Sequence, residues 1–276
     1  MSGTTITIVV DNHVENGLME EHGLSLWIAT GDRTILFDTG QGKALQPNAR
    51  SLDVDLRKTD TLVLSHGHYD HTGGIAAVLK LATKADVYCH AGVVQPRYSI
   101  RDGRARAIHM PRVSMAAVDE LSEERLHWIQ EPVMLSNTVG ITGPVPRETD
   151  FEDSGGPFYL DPGGRRVDMI DDDLALWIQT GEGLVVCVGC CHAGLVNTLR
   201  YVTALTGGTT IRAVIGGFHL VNADRRRLDE TVRALKVIDP AMIVPCHCTG
   251  DEATEFLRRE LGGRVHPGAA GMTFRF

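Results

Sequence analysis

The sequence predicts an α/β protein in which two β-rich halves, each covered by helices, form an αββα sandwich of two mixed sheets. Two observations support this prediction. Short apolar or β-branched runs alternate with turns through the first ninety residues, and a regular alternation of strands and helices resumes at Leu174. Because the two halves would share one interface, we expect a single domain over residues 1–276.

The first half begins with an apolar strand at residues 6–10. Further strands are predicted at residues 24–30, 34–38, 62–65 and 87–90, with a hairpin turn at Gly31-Asp32. From residue 93 to about residue 173 glycine, proline and charged residues dominate, and only residues 133–139 predict a clear strand. This stretch is too long for a plain connection, so we expect an inserted lid or cap at about 93–173.

In the second half, strands are predicted at residues 174–180 and 183–188, joined by a turn at Gly181-Glu182. A helix at 195–205, a strand at 211–215, a helix at 225–237, a strand at 242–245 and a helix at 252–261 follow. We expect residues 273–276 to close the second sheet.

Composition excludes several classes of function. The net charge of −8 and the pI near 5.8 argue against general binding to nucleic acid or to an anionic membrane. No apolar run approaches the roughly 18 residues of a membrane span, and the N-terminus lacks the pattern of a secretory signal. We therefore expect a cytoplasmic protein with a small-molecule substrate, and we leave its oligomeric state open.

The most informative stretch is Ser65–Gly74, which follows the apolar run at 61–64. A strand ending here would place His66 and His68 on one side of a loop, while Asp70 and His71 open the next helix. These ligands form two pairs offset by a turn, which suits two adjacent metal ions. Neutral imidazole and carboxylate are donors that Zn²⁺, Mn²⁺ and Fe accept. We predict one or two divalent ions, with zinc preferred and manganese or iron as alternatives.

The same four residues match H-x-H-x-D-H, the signature of the metallo-β-lactamase superfamily. This resemblance implies an αββα sandwich with the metals at the rim between the two sheets. Further ligands are then expected where strands end. His192 is predicted to complete the site of His66 and His68, and His247 the site of Asp70 and His71.

Many dinuclear members of this superfamily also carry an aspartate that bridges both metals. Asp224, Asp229 and Asp239 are the candidates in this sequence, but none of them follows a strand end. His219 does. It either ligates a metal or faces the substrate as a hydrogen-bond donor or acid, and without a bridging carboxylate we expect the second metal to bind weakly.

Several stretches resemble one branch of the superfamily, the 7,8-dihydropterin-6-methyl-4-(β-D-ribofuranosyl)aminobenzene 5'-phosphate synthase-like group. They are Val10-Asp11-Asn12, residues 21–25, 36–41, 68–74, Gly189-Cys190, His192, 216–220, Pro245 and 247–250. The resemblance places His22 and Asn12 beside the site and implies that Asp38 orients a metal-binding histidine or loop.

Five arginines lie between residues 97 and 112, and planar guanidinium groups suit phosphate. We assign Arg97 and Arg101, with Asn12, to substrate binding. The alternative is a solvated loop face balanced by the acidic residues at 148–153.

Four of the six cysteines flank His192 and His247. On a strand, Cys246 and Cys248 would share one face while His247 faces the other. We therefore interpret them as reduced, packed thiols beside a histidine ligand, with a Cys₄ zinc site as the alternative.

The leading functional hypothesis is a hydrolase that uses a metal-bound hydroxide on a small phosphate-containing or ester-like substrate. Asp70 would ligate metal and orient the hydroxide, while His219 or His22 stabilises developing charge or protonates the leaving group. The alternative is a transferase of the synthase type named above, acting in a methanopterin-like pathway with release of diphosphate. Reduction of oxygen or nitric oxide is disfavoured, because His68 occupies a position where those enzymes carry glutamate.

Overall fold

In a computed structural model, which describes residues 3–15 and 17–276, strands of two large sheets and one small sheet alternate with helices. The strands are β1 (Thr5–Val10), β2 (Ser25–Ala29), β3 (Thr34–Phe37), β4 (Thr61–Val63), β5 (Asp86–Cys89), β6 (Tyr98–Arg101), β7 (Arg104–Ala107), β8 (Leu126–Trp128), β9 (Val133–Met134), β10 (Val139–Ile141), β11 (Phe158–Tyr159), β12 (Ala175–Thr180), β13 (Gly183–Val188), β14 (Ile211–Gly217), β15 (Met242–Cys246) and β16 (Thr273–Arg275). The helices are α1 (Leu45–Ser51), α2 (Tyr69–Thr72), α3 (Ile75–Leu81), α4 (Arg112–Asp119), α5 (Leu195–Leu205), α6 (Arg225–Ile238) and α7 (Asp251–Leu261).

The two large sheets are both mixed. The first has the order β16-β1-β2-β3-β4-β5-β8 and the second the order β15-β14-β13-β12-β10-β9. Strands β3, β4, β5 and β8 run parallel in the first sheet, and β13, β14 and β15 run parallel in the second. The carboxyl ends of parallel strands meet at one edge of a sheet, which is where ligands bind in open α/β folds.

Alternate residues of the central strands face two different apolar layers. Ile28 and Phe37 of the first sheet belong to the same buried cluster as Val185 and Val244 of the second, so this cluster lies between the sheets. Residues of the opposite parity pack on helices: Leu36 belongs to a cluster with Ile75 and Val78 of α3. In the second sheet, Val186 and Val214 are clustered with Leu199 of α5 and Leu257 of α7. The predicted αββα sandwich is thereby confirmed.

The C-terminal strand differs from its predicted position. Residues 273–276 were expected to close the second sheet, but β16 pairs antiparallel with β1 in the first sheet, with Phe274 opposite Ile6. Phe274 packs against the cluster between the sheets, so this strand closes the same core from the other side.

The region predicted as one inserted lid is divided in the structure. Strand β8 extends the first sheet and the β9-β10 pair extends the second, so the predicted single strand at 133–139 is a short hairpin instead. Strands β6, β7 and β11 form a separate three-stranded sheet, and this part covers the rim where the predicted ligands lie. Within the described residues, no helix is long and apolar enough to cross a bilayer.

Candidate metal centre

The predicted ligands lie at the carboxyl ends of the parallel strands. His66, His68, Asp70 and His71 follow β4, while His192, His219 and His247 follow β13, β14 and β15 in turn. Asp38 follows β3. Ligands that are far apart in the sequence are therefore brought to one rim by the topology of the two sheets.

Several residues in these loops adopt left-handed backbone conformations that non-glycine residues rarely take. Their φ angles are 61° at Asp38, 54° at Cys191, 45° at His219 and 46° at His247. Each such conformation costs of the order of 1–3 kcal/mol and persists only where the surroundings enforce it. Strain of this kind concentrated at one rim is typical of a functional site.

The first group of donors consists of His66, His68 and His192, all of them buried. Their ligating atoms lie within 4.8 Å of one another, and Nε2 of His66 is 2.9 Å from Nδ1 of His68. Burial lowers the pKa of each of these imidazoles well below its usual value. They are therefore neutral at physiological pH, which is the form that binds metal.

Hydrogen bonds fix the tautomers of two of these histidines. Ser65 Oγ donates to Oδ2 of Asp38 at 2.6 Å, so it accepts a hydrogen bond from Nδ1 of His66 at 2.9 Å. Nδ1 of His192 donates to the carbonyl oxygen of Ser154 at 2.8 Å. In both rings Nε2 is left with its lone pair, and among the described residues Nε2 of His192 is buried without a hydrogen-bond partner. Three convergent neutral imidazoles of this kind fit a zinc-type ion.

The second group contains Asp70, His71 and His247, with His22 as an additional member. Nε2 of His71 and Nε2 of His247 are 3.3 Å apart. Oδ2 of Asp70 lies 3.5 Å from Nε2 of His247 and 3.0 Å from Nε2 of His22. The ligating atoms of His22, Asp70 and His247 all lie within 4.8 Å of one another, so His22 can itself serve as a ligand.

Charges in this group favour ionised forms. Burial lowers the pKa of His71, but the neighbouring Asp38 carboxylate outweighs burial and raises the pKa to about 9. Burial raises the pKa of Asp70, and the hydrogen bonds from His22 and His247 more than compensate, holding it well below its usual range. A hydrogen bond to Asp70 likewise raises the pKa of His22. Metal binding at Nε2 of His71 therefore displaces a proton.

Asn12 and Asp11, at the end of β1, hold His247 in place. Oδ1 of Asn12 accepts hydrogen bonds from the backbone N–H of Gly23 at 3.1 Å and from Nδ1 of His247 at 2.9 Å. Oδ1 of Asp11 accepts from the backbone N–H of His247 at 2.8 Å. Asn12 was predicted as a substrate contact; it lines the cavity, and its amide is also committed to orienting His247.

Arg97 lies elsewhere than predicted. It is almost completely buried and forms ion pairs with Asp168, at 3.0 Å, and with Asp172. Its guanidinium is held by these carboxylates and by the carbonyl oxygen of Gly92, so we do not retain it as a substrate contact. Oδ2 of Asp172 also accepts from the backbone N–H of Gly67 at 2.8 Å, and Arg97 thus supports the loop between His66 and His68.

Sequence reasoning assigned no definite role to two aspartates that position the ligand loops. Asp172 binds Gly67 as described, and Oδ2 of Asp173 accepts from the backbone N–H of Ala193 at 2.8 Å, next to His192. The signal in the sequence was the acidic run at 171–173 directly before β12. Two adjacent carboxylates thereby fix the two loops that present the first group.

A cavity of about 690 Å³ opens over the second group and extends beneath the β6-β7 hairpin. It is lined by the following residues: Asn12, His13, His22, His68, Tyr69, Asp70, Ser99, Arg101, Arg104, Arg106, Ile108, Phe158, Cys190, His219, Val221, Asn222, His247, Cys248, Gly250 and Asp251. Arg101, Arg104 and Arg106, from the β6-β7 hairpin, give its lining three cationic side chains. The arrangement suits a small anionic molecule with one end at the metal positions.

His219 lines this cavity and lies against His192, with 4.3 Å between the ring centroids. Its Nδ1 is buried and has no hydrogen-bond partner among the described residues. Its ligating atom groups with those of Cys190 and His192 within 4.8 Å. Both predicted roles, ligand and substrate contact, are compatible with this position.

The cysteines are arranged differently from the prediction. Cys246 is buried in the core between the sheets, whereas Cys248 lines the cavity. They do not share a face because β15 ends at Cys246 and His247 takes a left-handed conformation, which interrupts the alternation of a strand. Cys190 also lines the cavity, with Sγ 3.1 Å from Nε2 of His71.

Two related sequences match most of this chain. The chain is 28% identical over 263 residues to the 7,8-dihydropterin-6-methyl-4-(β-D-ribofuranosyl)aminobenzene 5'-phosphate synthase of Methanocaldococcus jannaschii, covering 90% of this chain and 88% of that protein. It is 32% identical over 257 residues to an uncharacterized protein of the same organism, covering 90% of this chain and 91% of the relative.

Among solved structures, Tm1679, described as a metal-dependent hydrolase of the β-lactamase superfamily, superimposes with a TM-score of 0.82 at 28% identity and covers 98% of both chains. YhfI of Bacillus subtilis, a metallo-β-lactamase fold protein, shares the fold with a TM-score of 0.59 at 13% identity, covering 100% of both chains. The sequence profile of the metallo-β-lactamase superfamily matches residues 19–247. The chain therefore belongs to the metallo-β-lactamase superfamily.

Proposed function

We propose that this protein is a metal-dependent hydrolase of a small phosphate-containing or ester-like substrate. The observation that supports this most directly is the pair of adjacent donor groups: three neutral imidazoles (His66, His68 and His192), next to Asp70 and His247, which line the cavity. Divalent ions held there would lower the pKa of a bound water towards neutrality and polarise the oxygen of the bond to be cleaved.

The protein's own residues supply binding and proton transfer. Arg101, Arg104 and Arg106 bind the anionic part of the substrate, since guanidinium groups match phosphate or carboxylate geometry. Nε2 of His22 lies beside Asp70 on the half-exposed side of the cavity, where it can donate a proton to a departing oxygen. His219, which also lines the cavity, donates a hydrogen bond to the oxygen on which negative charge develops.

Metal content and activity together test this proposal. We expect His66→Ala to lose the first metal and at least about 10³-fold in hydrolysis on a panel of phosphomonoesters, phosphodiesters, lactones and thioesters. His266→Ala, at an exposed histidine outside the cavity, is the matched control and should retain both the metal content and the hydrolytic activity of the wild type. Full metal content and undiminished hydrolysis in His66→Ala would contradict the proposal.

A second candidate is the synthase activity, favoured by the 28% identity with the archaeal synthase over 90% of this chain. In that case the arginines would bind a diphosphate leaving group, and the cavity would accommodate two ring systems. Incubation with a dihydropterin-methyl diphosphate and an aminobenzene ribofuranosyl phosphate decides the matter. Release of diphosphate that depends on both substrates favours the synthase, and absence of release removes it.

A further inference from the structure

The ligands of this centre carry too little negative charge to balance two divalent ions. The histidines are neutral when they bind metal, and within the residues that the structure describes, Asp70 is the one carboxylate in the groups that could hold an ion. Two ions would bring four positive charges against a single negative one. Two cations about 3.5–4 Å apart, the usual separation of a dinuclear site, repel strongly unless an anionic ligand lies between them.

Cys190 lies close to histidines of both donor groups. Its Sγ is 3.1 Å from Nε2 of His71. Its Sγ also belongs to three groups whose ligating atoms lie within 4.8 Å of one another: with His66 and His71, with His192 and His219, and with His247 and Cys248. These groups include ligands of both predicted metal positions. Cys190 is buried where it lines the cavity.

We propose that Cys190 is a thiolate ligand shared by the two metal positions, supplying the negative charge for which the sequence offers no bridging carboxylate. The inference rests on the metal centre of the proposed function and concerns how that centre is built. A soft sulfur ligand favours zinc or iron over manganese, so it also narrows the metals that the centre accepts.

The local backbone is shaped to hold this side chain. A Cβ at Gly217 would lie 2.6 Å from Sγ of Cys248 and 2.5 Å from the carbonyl oxygen of Gly189, so only glycine fits there. Sγ of Cys248 in turn donates to the carbonyl oxygen of Cys190 at 3.8 Å. We assign Cys248 to positioning Cys190. The next residue, Cys191, has a left-handed φ of 54° and packs in the apolar cluster around α5.

Cobalt substitution tests the proposal without relying on activity. Metal-free protein is reconstituted with Co²⁺, and both the sulfur-to-cobalt charge-transfer absorption and the ratio of cobalt to protein are measured. We expect a charge-transfer band and a ratio near two in the wild type. Cys190→Ser should lose the band and fall towards a ratio of one, while Cys190→Asp should lack the band but return to a ratio near two.

Two cysteine variants are matched controls. Cys191→Ser changes a neighbouring buried thiol, and Cys246→Ser changes a thiol in the core between the sheets; both should keep the band and the ratio. The proposal is overturned if Cys190→Ser retains the full band, or if the band is lost in Cys248→Ser but not in Cys190→Ser. Failure of the proposed function looks different: the wild type would bind cobalt with a charge-transfer band and yet hydrolyse no member of the substrate panel.

Discussion

Oδ2 of Asp38 lies 2.7 Å from Nδ1 of His71 and 2.6 Å from Oγ of Ser65, which itself accepts from His66. One buried carboxylate at the end of β3 therefore orients a histidine in each of the two donor groups. Gly189 makes this possible, since a Cβ there would overlap the Oγ of Ser65. Partners of this kind set the tautomer and the orientation of metal-binding imidazoles.

The first prediction follows from this contact. Asp38→Asn keeps the shape of the side chain but removes the charge that faces His71. Its amide also has a single acceptor oxygen, whereas the carboxylate of Asp38 accepts hydrogen bonds at two. We expect metal affinity to fall by about 10- to 100-fold, the usual cost of losing such a partner. Competition with a chromophoric chelator measures the change. Asp150→Asn, at an exposed carboxylate paired with Arg226, should leave the affinity unaltered.

The second prediction concerns the cationic side of the cavity. Arg101→Gln should raise the KM for a phosphate-containing substrate by about tenfold with little change in kcat, because a charge-assisted hydrogen bond contributes about 1.5–3 kcal/mol and this one is exposed. Added salt should raise the KM of the wild type towards that of the variant, because salt screens the attraction between the arginine and the substrate. Arg165→Gln, at an exposed arginine paired with Asp161, is the control. An equal KM in Arg101→Gln and wild type would remove Arg101 from the substrate site.

Much of the fold could be predicted because the main strands and helices are marked by local patterns. The helix predicted at residues 195–205 is α5, and the strands at 174–180 and 183–188 correspond to β12 and β13. The pairing of β16 could not be predicted in this way. A three-residue strand pairs with whichever sheet edge the chain reaches, and that depends on the tertiary path rather than on the strand's own residues.

The ligands could be proposed from the sequence because each follows a strand end, which is a local feature. The surroundings could not. The guanidinium of Arg97 is of a type that binds phosphate, which is why the sequence suggested a substrate contact. Asp168 and Asp172, which pair with it, are more than 70 residues away in the chain and come near it only in the folded protein. The prediction that Cys248 shares a face with Cys246 was wrong for a similar reason. The left-handed conformation of His247, which ends the alternation of the strand, cannot be recognised from the sequence.

The third prediction tests the close contact between Gly155 and His219. Gly155 has a φ of +85°, and a Cβ there would overlap Cδ2 of His219. Gly155→Ala should therefore displace this imidazole and lower kcat by about 10- to 100-fold, since small shifts of a positioned group are costly. Gly207→Ala is a matched control, because its φ is +65° but nothing lies within 4 Å of the added carbon. If both variants lose the same activity, backbone strain and not His219 is responsible.

The fourth prediction is a pH dependence of stability. Burial raises the pKa of Asp173 from 3.8 to about 7. A carboxyl group whose pKa is raised in the folded state stabilises the fold fully below its unfolded pKa, and this stabilisation is lost as the pH rises to the folded pKa. The metal-free wild type should therefore lose stability relative to Asp173→Asn by about 2–3 kcal/mol between about pH 5 and pH 8, at 1.36 kcal/mol for each pKa unit. The asparagine keeps an acceptor for the backbone N–H of Ala193, so the comparison isolates the charge.

Urea unfolding at several pH values measures this difference in stability, with Asp171→Asn as the exposed neighbouring control. A difference between wild type and Asp173→Asn that stays constant over this range would show that Asp173 does not titrate there.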